Sequence, residues 1–329
     1  MDVLSDVLRT VKMTGAFFFD CYNYAPWVCG ATAVDIGQRI MPEAEFVIPF
    51  HMILQGSCYC EMAGDPSSRV RLEQGDIVVV PRGEPHFMMS EPGMSKPIDA
   101  QDFDPPPRRR APLVLAVNGE LGQGEVHSRV ICGFLGCDSH PFNPLLDALP
   151  TMFRARTSDY NREWLMRLAQ AAVGEGERDG NGAASMMAKL AELMFIEVVR
   201  QQIEDAPPEG RGWLAGLRDK HVGAALRLIH DRPAEGWTLE SLALKVGLSR
   251  SVFAERFADY VGMPAIQYLA RWRLTLASQL LDDRGLSVAQ AGAVVGYESE
   301  AAFNRAFKKH VGTAPGAWRK ERRELLQSV

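Results

Sequence analysis

The sequence predicts an α+β fold with two domains, in which a β-rich N-terminal part precedes an all-α C-terminal part. Residues 16–134 contain short apolar segments separated by Gly, Pro and Asp, a pattern typical of a small barrel or sandwich. From Asn143 onward the apolar residues recur at helical spacing instead. A near-repeat close to the C-terminus then predicts two similar helical units.

The near-repeat places two phenylalanines and a glycine at a constant offset of 50 residues. Its copies are Gly247-Leu248-Ser249 followed by Phe253, Phe257 and Gly262, and Gly296-Tyr297-Glu298 followed by Phe303, Phe307 and Gly312. Each copy follows an apolar helical stretch, which gives a helix, a glycine-containing turn and a second helix. That order is typical of a helix-turn-helix, and two such units can enter two neighbouring major grooves of DNA. The four phenylalanines are expected in the helical core.

The strands, helices and domain boundaries follow from the same patterns. Strands are expected at residues 46–54, 57–62, 70–72, 76–80, 113–117 and 126–132. Helices are expected at residues 1–14, 143–149, 160–173, 183–203 and 264–281. The predicted domains are a β-barrel domain at 1–150, a helical dimerisation and linker segment at 151–212, and the double helix-turn-helix domain at 213–329.

Charge and composition favour a polyanionic partner for the C-terminal part and argue against a membrane protein. The net charge is −5, yet residues 213–329 hold 17 Lys and Arg against 12 Asp and Glu, while residues 1–212 hold 19 against 29. No apolar run reaches the roughly 18–20 residues of a transmembrane helix, and no signal peptide is recognisable. We therefore expect a cytoplasmic protein without a membrane partner.

The C-terminal part resembles the AraC/XylS family of transcriptional regulators over residues 213–320. The matching segments are residues 237–243, 246–253, 271–273, 277, 280–281, 295–299, 302–309 and 312–315. The resemblance implies a regulator that binds double-stranded DNA. Because members of the family are most often activators, it also implies an activator that works with RNA polymerase.

The N-terminal part resembles the cupin-type sensor domain found in one branch of that family. Gly75, Pro81, Gly83 and His86 fit the second cupin motif, G-x5-P-x-G-x2-H, in which the strand after a Pro-x-Gly turn points its histidine into the barrel. Residues 50–56 fit a strand that ends at a glycine turn, as in the first cupin motif. The H-x-H pair of metal-binding cupins is absent, so we expect no enzyme. A cupin metalloenzyme with an accessory helical domain is the alternative from another class.

The second helix of each unit is expected to lie in the major groove with its N-terminal residues at the base edges. The predicted contacts are Arg250, Ser251, Ala254 and Glu255 in the first unit, and Ser299, Glu300, Ala301, Asn304 and Arg305 in the second. Asn can pair with adenine and Arg with guanine, while Glu255 either accepts from cytosine N4 or pairs with Arg256. Phosphate contacts are expected from Arg273, Lys308, Lys309 and His310.

Histidines and cysteines on the predicted strands are candidates for effector binding, namely His51, Cys58, Cys60, His86 and Cys132. One interpretation is a tetrahedral zinc site formed by His51, Cys60, His86 and Cys132. A second is an organic effector in the barrel without a metal, and a third is thiol oxidation, although a Cys58–Cys60 disulfide would be strained. The side chains could equally be packed interior residues without a ligand.

Together these patterns predict a sequence-specific transcriptional regulator whose cupin domain receives a small-molecule or metal signal. A homodimer is expected, and the broad apolar face of residues 183–203 is the candidate seam. A regulator that senses oxidants through its thiols is the alternative within the same class.

Overall fold

The computed structural model describes residues 2–10, 13–31, 40–41, 44–94, 113–137, 142–155, 159–178, 181–205, 210–283 and 286–327. They form two compact units. The β unit comprises Met13–Asp138 and Leu149–Gln202, and the helical unit comprises Met1–Lys12, Ser139–Ala148 and Ile203–Val329. The predicted α+β class with a β-rich domain and an all-α domain is confirmed.

The β unit is built on one curled sheet. Its described strands are β1 (Met13–Asn23), β2 (Val28–Ala31), β3 (Phe46–Met62), β4 (Asp65–Glu73), β5 (Ile77–Val79), β6 (His86–Met89), β7 (Leu113–Val117), β8 (Ser128–Cys137) and β9 (Phe153–Ala155). The main strand order is β2-β6-β3-β8-β1-β7, with β4 and β5 also on β3 and β9 on β5. The first part of β3 pairs with β8 and β5, and its last part with β4 and β6. Because β3 is shared in this way, the sheet curls around a buried interior.

The long strand β3 passes through Gly56, where the sequence predicts the end of a strand at a turn. The register between β3 and β8 shifts between Ile53 and Gln55, as in a β-bulge. Gly56 has a φ of 76°, and a Cβ atom there would overlap the carbonyl oxygen of His127. The glycine therefore permits a bend within one strand, and the prediction of two separate strands at 46–54 and 57–62 is wrong.

Two long helices follow the strands of the β unit. They are α3 (Asp159–Arg178) and α4 (Ala183–Asp205), close to the helices expected at 160–173 and 183–203. Met187, Ala191 and Met194 of α4 are buried, whereas Met186 and Leu193 of the same helix are exposed. Most of the segment expected as a separate linker at 151–212 is thus part of the β unit.

The helical unit is assembled from three separate segments of the chain. Its described helices are α1 (Val3–Thr10), α2 (Pro144–Ala148), α5 (Trp213–Arg218), α6 (Lys220–Asp231), α7 (Leu239–Lys245), α8 (Arg250–Val261), α9 (Ala265–Asp283), α10 (Val288–Val294), α11 (Glu300–Val311) and α12 (Pro315–Gln327). The helix pairs α7–α8 and α10–α11 are the two predicted helix-turn-helix units, and α9 connects them.

Helices α1 and α2 pack in the helical unit, although the sequence places both in the N-terminal domain at 1–150. Val7 of α1 is fully buried. Gln279 Nε2 donates to the carbonyl oxygen of Thr10 over 2.8 Å, and the Thr275 hydroxyl donates to that of Phe142 over 2.9 Å. An amphipathic pattern shows that a helix must bury one face but not which domain receives it, so this boundary could not be predicted.

No helix in the described ranges combines the length and the apolar character needed to cross a membrane.

Candidate DNA interface and the interior of the β unit

Matching caps fix the first helix of each helix-turn-helix unit. Thr238 and Ser241 form a capping box at the start of α7, and Ser287 and Gln290 form one at the start of α10. In a capping box each side chain bonds the backbone N–H of the other residue, which satisfies donors that a helix start leaves free. The repeat in the sequence is therefore a repeat of local structure.

The turns of the two units differ in length by one residue. Residues 246–249 separate α7 from α8, and residues 295–299 separate α10 from α11. Gly247 and Gly296 have φ angles of 73° and 91°, which favour glycine. A Cβ atom at Gly296 would also lie 2.6 Å from the carbonyl oxygen of Ala234. The second turn thus depends on glycine for both conformation and space.

The recurring phenylalanines form the cores of the two units, as predicted. Phe253 and Phe257 pack edge to face with ring centroids 5.6 Å apart, and Phe303 and Phe307 do the same at 5.6 Å. All four side chains are fully buried. They fix the inward face of α8 and α11, and the opposite face of each helix is left for solvent or DNA.

The outer face of α8 carries little free positive charge. Arg250, Ser251 and Glu255 are exposed and Ala254 is half-buried. Arg250 Nε lies 2.7 Å from Glu240 Oε1 on α7, so this predicted base contact has an intramolecular partner. The face therefore offers short side chains, one paired arginine and one carboxylate.

Arg256 pairs with Asp219 and not with Glu255, the pairing that the sequence left open. Asp219 is the N-cap of α6 and accepts backbone N–H groups of His221 and Val222. Burial alone would raise the pKa of Asp219, but the hydrogen bonds from Arg256 and from the two backbone groups outweigh it, and the pKa falls to about 2. Arg256 therefore holds α8 against α6.

The outer face of α11 is basic. Arg305, Lys308 and Lys309 are exposed, and no salt bridge to them occurs within the described ranges. Glu300 and Ala301 are exposed beside them, and Asn304 is half-buried. The Ser299 hydroxyl accepts the N–H of Ala302 as the N-cap of α11. The predicted residues thus share one surface, and Ser299 also shapes the start of the helix.

Arg273 makes several hydrogen bonds within the helical unit. Its Nε donates to the carbonyl oxygen of Pro233 over 2.6 Å, and its Nη2 to that of Glu235 over 2.8 Å. Its Nη1 donates to Gly296 over 3.4 Å, and the guanidinium lies 5.9 Å from the centroid of the Tyr297 ring. Burial lowers the pKa of Arg273. These bonds give Arg273 a structural role, in which it ties the 233–235 loop to the second turn, and they argue against the expected phosphate contact.

His51 and His86 meet inside the β unit, where the cupin motif predicts the side chain of His86. Their Nε2 atoms lie 2.7 Å apart, and His86 Nδ1 lies 2.9 Å from the carbonyl oxygen of Glu84. Both rings are buried, and burial lowers both pKa values, that of His51 well below its usual range with a smaller contribution from His86. The pair is therefore neutral and joined by a direct hydrogen bond.

The four predicted zinc ligands do not converge. Cys60 Sγ faces Met152 Sδ at 3.5 Å, whereas Cys132 Sγ lies 3.9 Å from Cys21 Sγ. Among the residues that the structure describes, no three His, Cys, Asp or Glu side chains are grouped to hold a metal ion. The direct bond between the two histidines also leaves no place for an ion between them, so a cupin-type metal does not fit these residues.

The cysteines at 58 and 60 are poor nucleophiles in this structure. Both are buried, and burial raises the pKa of each thiol, that of Cys60 to about 12. Since thiolate is the reactive form, these residues do not suit direct oxidation. The sequence missed Cys21 because its proximity to Cys132 arises from the pairing of β1 with β8, which spacing along the chain does not reveal.

A curled β unit joined to two helix-turn-helix units is the architecture of a two-domain, DNA-binding transcription regulator. Residues 2–204 match the family described as Cupin, and residues 242–321 match the family described as Helix-turn-helix domain. An AraC-like transcription regulator of Streptomyces antibioticus is 30% identical over 323 residues, covering 97% of this chain and 99% of that relative. The regulator AlkR of Acinetobacter baylyi is 30% identical over 327 residues, covering 98% and 100%.

Among solved structures, the DNA-binding domain of AdpA in complex with a target DNA is similar with a TM-score of 0.31 and 25% identity. It matches 32% of this chain and 95% of that domain. The chain belongs to the AraC-like family of DNA-binding transcription regulators and carries an N-terminal cupin domain.

Proposed function

We propose that the protein activates transcription at sites whose sequence is read mainly by α11, while α8 occupies the neighbouring major groove. The observation that carries this is the contrast between the two helices. Arg305, Lys308 and Lys309 on α11 are exposed without an ion pair in the described ranges, whereas Arg250 on α8 is held by Glu240. A phosphate or a base must displace any intramolecular partner of a side chain before it can bind. The outer face of α11 is therefore better suited to bind DNA than the outer face of α8.

Asn304 and Arg305 are the proposed base contacts, because they combine the side-chain geometry for adenine and guanine with a place in the second turn of α11. Lys308 and Lys309 follow one turn later, where they would contact the phosphate backbone and fix the register of the helix. The short side chains of Ser251 and Ala254 let α8 approach its groove closely, with few base atoms in reach.

The experiment compares Arg305→Ala with Lys308→Ala in the full chain, on a site selected by the wild-type protein from random DNA and on an unrelated sequence. Arg305→Ala is expected to weaken the selected site by about 1–3 kcal/mol and to leave the unrelated sequence little changed. Lys308→Ala is expected to weaken both equally and to reduce the salt dependence by about one phosphate contact. Equal losses on both sequences for Arg305→Ala would contradict base reading.

Activation and the contact with RNA polymerase are tested separately. In a purified transcription reaction the protein is expected to raise transcription from a promoter that carries the selected site, and the increase should vanish when the site is scrambled. A decrease in transcription would contradict the activator role but leave the reading of DNA intact.

We infer that the cupin domain signals to the helical unit through the ends of β1 and β8. Met13 at the start of β1 pairs with Cys137 at the end of β8. The chain runs from these paired ends to α1 and α2, which pack on the scaffold of the first helix-turn-helix. A signal that shifts β1 against β8 would therefore reach both α1 and α2.

Hydrogen exchange tests this connection. Val130→Ala removes two methyl groups from β8, and it is expected to speed amide exchange in α1 and α2. Val78→Ala in β5 is the matched control, because both valines are almost fully buried. Equal exchange in α1 and α2 for the two variants would contradict the proposed route.

A further inference from the structure

A pocket of about 310 Å³ lies in the helical unit, at the end of α8 that is farther from the predicted base contacts. Its lining comes from α2, the start of α5, the last turn of α8 and the first turn of α9. Pockets that bind small organic molecules have volumes of about 300–1,000 Å³. The pocket is therefore large enough for a small organic ligand.

The lining of this pocket combines aromatic rings with carboxylates. Four aromatic residues contribute to it, namely Phe142, Trp213, Tyr260 and Tyr268. Among the described residues that line the pocket, the charged ones are Asp147 and Asp259, and both are acidic. Carboxylates attract cations through their charge, and aromatic faces attract them through the negative side of the ring quadrupole. The lining thus favours an organic cation.

The end of α8 adds to the negative potential of the pocket. Val261 and Gly262, the last residue and the C-cap of α8, both line it. The carbonyl groups at the C-terminus of a helix carry a partial negative charge, which nearby cations stabilise. The last turn of α8 contains no basic residue and instead carries Asp259. The sequence of α8 therefore increases the negative potential at this end of the helix.

The second helix-turn-helix unit has the opposite charge at the matching positions. At the offset of 50 residues, Asp259 corresponds to Lys309 and Tyr260 corresponds to His310. The last turn of α11 is basic, which is the favourable arrangement at a helix C-terminus. Both units share their phenylalanine core and their caps, so the fold does not require this difference. The first unit departs from the repeat at two residues that line the pocket.

A guanidinium of the chain already makes the contacts that such a ligand would make. Arg211 Nη1 lies 3.0 Å from Asp259 Oδ2, and the guanidinium lies 5.4 Å from the centroid of the Tyr260 ring. One planar cation can thus contact the carboxylate and the ring together. Arg256 lies 5.7 Å from the same ring but is held by Asp219. The Arg211 side chain is 63% exposed, and exposed pairs contribute little to stability, so a ligand can displace it.

We propose that this pocket binds a small organic molecule that carries a guanidinium or amidinium group on an apolar body. The charged group pairs with Asp259 and replaces Arg211 on the Tyr260 ring, while the apolar body packs against Trp213. The indole N–H of Trp213 already donates to the Tyr268 hydroxyl over 3.1 Å, so this ring offers carbon surface to the ligand. A planar group suits the site better than an ammonium, because its donors match a carboxylate and its face stacks on an aromatic ring.

The regulatory meaning of this site rests on the proposed function. The pocket borders α8, whose N-terminal residues are proposed to enter a major groove, and α2, which follows β8 along the chain. A ligand that binds more tightly to the DNA-bound chain raises the affinity for DNA by the same factor. The site would therefore let an organic cation act on the helical unit directly, in addition to a signal received by the cupin domain.

Isothermal titration calorimetry of the full chain with benzamidine tests the site. Benzamidine carries an amidinium group on a benzene ring, and benzamide is a neutral compound of almost the same shape. One benzamidine per chain is expected to bind with a Kd of about 1 mM or tighter, and benzamide about tenfold more weakly. Equal binding of the two compounds, or no binding of benzamidine, would overturn the proposal.

Two substitutions at the site are expected to change the affinity for benzamidine in opposite directions. Asp259→Asn removes the carboxylate and should weaken binding about fivefold, whereas Arg211→Ala removes the competing guanidinium and should strengthen it about twofold. Glu235→Gln is the matched control, because Glu235 also pairs with an arginine and is exposed by 43% against 48% for Asp259, but does not line the pocket. Unchanged binding in both site variants would show that benzamidine binds elsewhere and would overturn the site.

Binding of the ligand-free chain to its selected DNA separates this inference from the proposed function. Saturating benzamidine is expected to change the affinity for that DNA about twofold or more, and an unchanged affinity would contradict the regulatory meaning of the site. DNA binding without benzamidine binding removes only this inference. Benzamidine binding without DNA binding removes only the proposed function.

Discussion

The Nε2 atom of His230 on α6 lies 2.9 Å from the hydroxyl oxygen of Tyr268 on α9. That hydroxyl also accepts the indole N–H of Trp213 over 3.1 Å. The His230 ring also stacks on Trp272 with ring centroids 4.1 Å apart. Three helices, α5, α6 and α9, are therefore joined by one buried polar chain.

This arrangement predicts a loss of stability in acid. Burial lowers the pKa of His230 to about 3, although the Asp6 carboxylate lies 4.0 Å from Nδ1. The unfolded chain takes up a proton near the ordinary pKa of 6.5, and the folded chain does not. The contribution of this group is therefore complete above pH 6.5 and declines as the pH falls towards 3.

Denaturant unfolding at pH 7.5 and pH 5 measures this effect, with His230→Gln as the reference. The free energy of unfolding should fall by about 2 kcal/mol more in the wild-type protein than in the variant. Equal falls in the two proteins would show that His230 is not held neutral.

Arg273→Ala is predicted to destabilise the helical unit and not to remove a phosphate contact. The guanidinium bonds three carbonyl oxygens, and a hydrogen bond to a charged group is worth about 1.5–3 kcal/mol. Because the side chain is half-buried, water can replace part of these bonds in the variant, and we expect a loss of about 2–4 kcal/mol in unfolding free energy. The salt dependence of DNA binding should stay as in the wild-type protein. A smaller salt dependence in the variant, with unchanged stability, would instead show that Arg273 contacts a phosphate.

The two turn glycines are predicted to differ in their tolerance of alanine. Gly247→Ala meets no atom within 4 Å and should cost about 1–2 kcal/mol of conformational strain. Gly296→Ala has the same kind of strain and also meets the backbone of Ala234, which cannot move as a side chain does. The larger drop in melting temperature is therefore expected for Gly296→Ala, and similar drops would contradict the close packing of this turn.

The exposed stripe on α4 is predicted to be the dimer seam. Met186 and Leu193 are exposed by 52% and 45%, and with Leu190 they follow the spacing of a coiled-coil seam. Leu193→Lys is expected to raise the dissociation constant of the dimer at least tenfold in analytical ultracentrifugation. Leu121→Lys is the control, because Leu121 is similarly exposed at 51% but lies on a loop. A wild-type monomer, or equal effects of the two changes, would contradict this seam.

Local patterns predicted the helical unit well, because its interactions are close in sequence. The offset of the phenylalanines and the apolar helical stretches before them predicted both units, since i, i+4 contacts are set within one or two turns. The inward direction of His86 also followed from a short motif. The single-residue difference between the two turns is visible in the spacing of Gly247 and Gly296 against that of the phenylalanines.

Long-range contacts account for what the sequence did not reveal. The neighbourhood of Cys21 and Cys132 depends on strand pairing across more than a hundred residues. The roles of Arg250 and Arg273 depend on which partners the fold brings near them, and an arginine pattern alone does not distinguish a phosphate contact from a structural tie. The position of α1 depends on contacts with α6 and α9, which lie more than two hundred residues away in the sequence.

The base preference of single variants shows most directly which helix reads the DNA sequence. DNA sites would be selected from a random pool by the wild-type chain, by Arg305→Ala and by Arg250→Ala, and the preference at each base position would be compared. We expect Arg305→Ala to relax one or two adjacent positions, and Arg250→Ala to leave the profile unchanged because Glu240 already pairs with that side chain. Relaxation by Arg250→Ala with an unchanged profile for Arg305→Ala would contradict the assignment of base reading to α11.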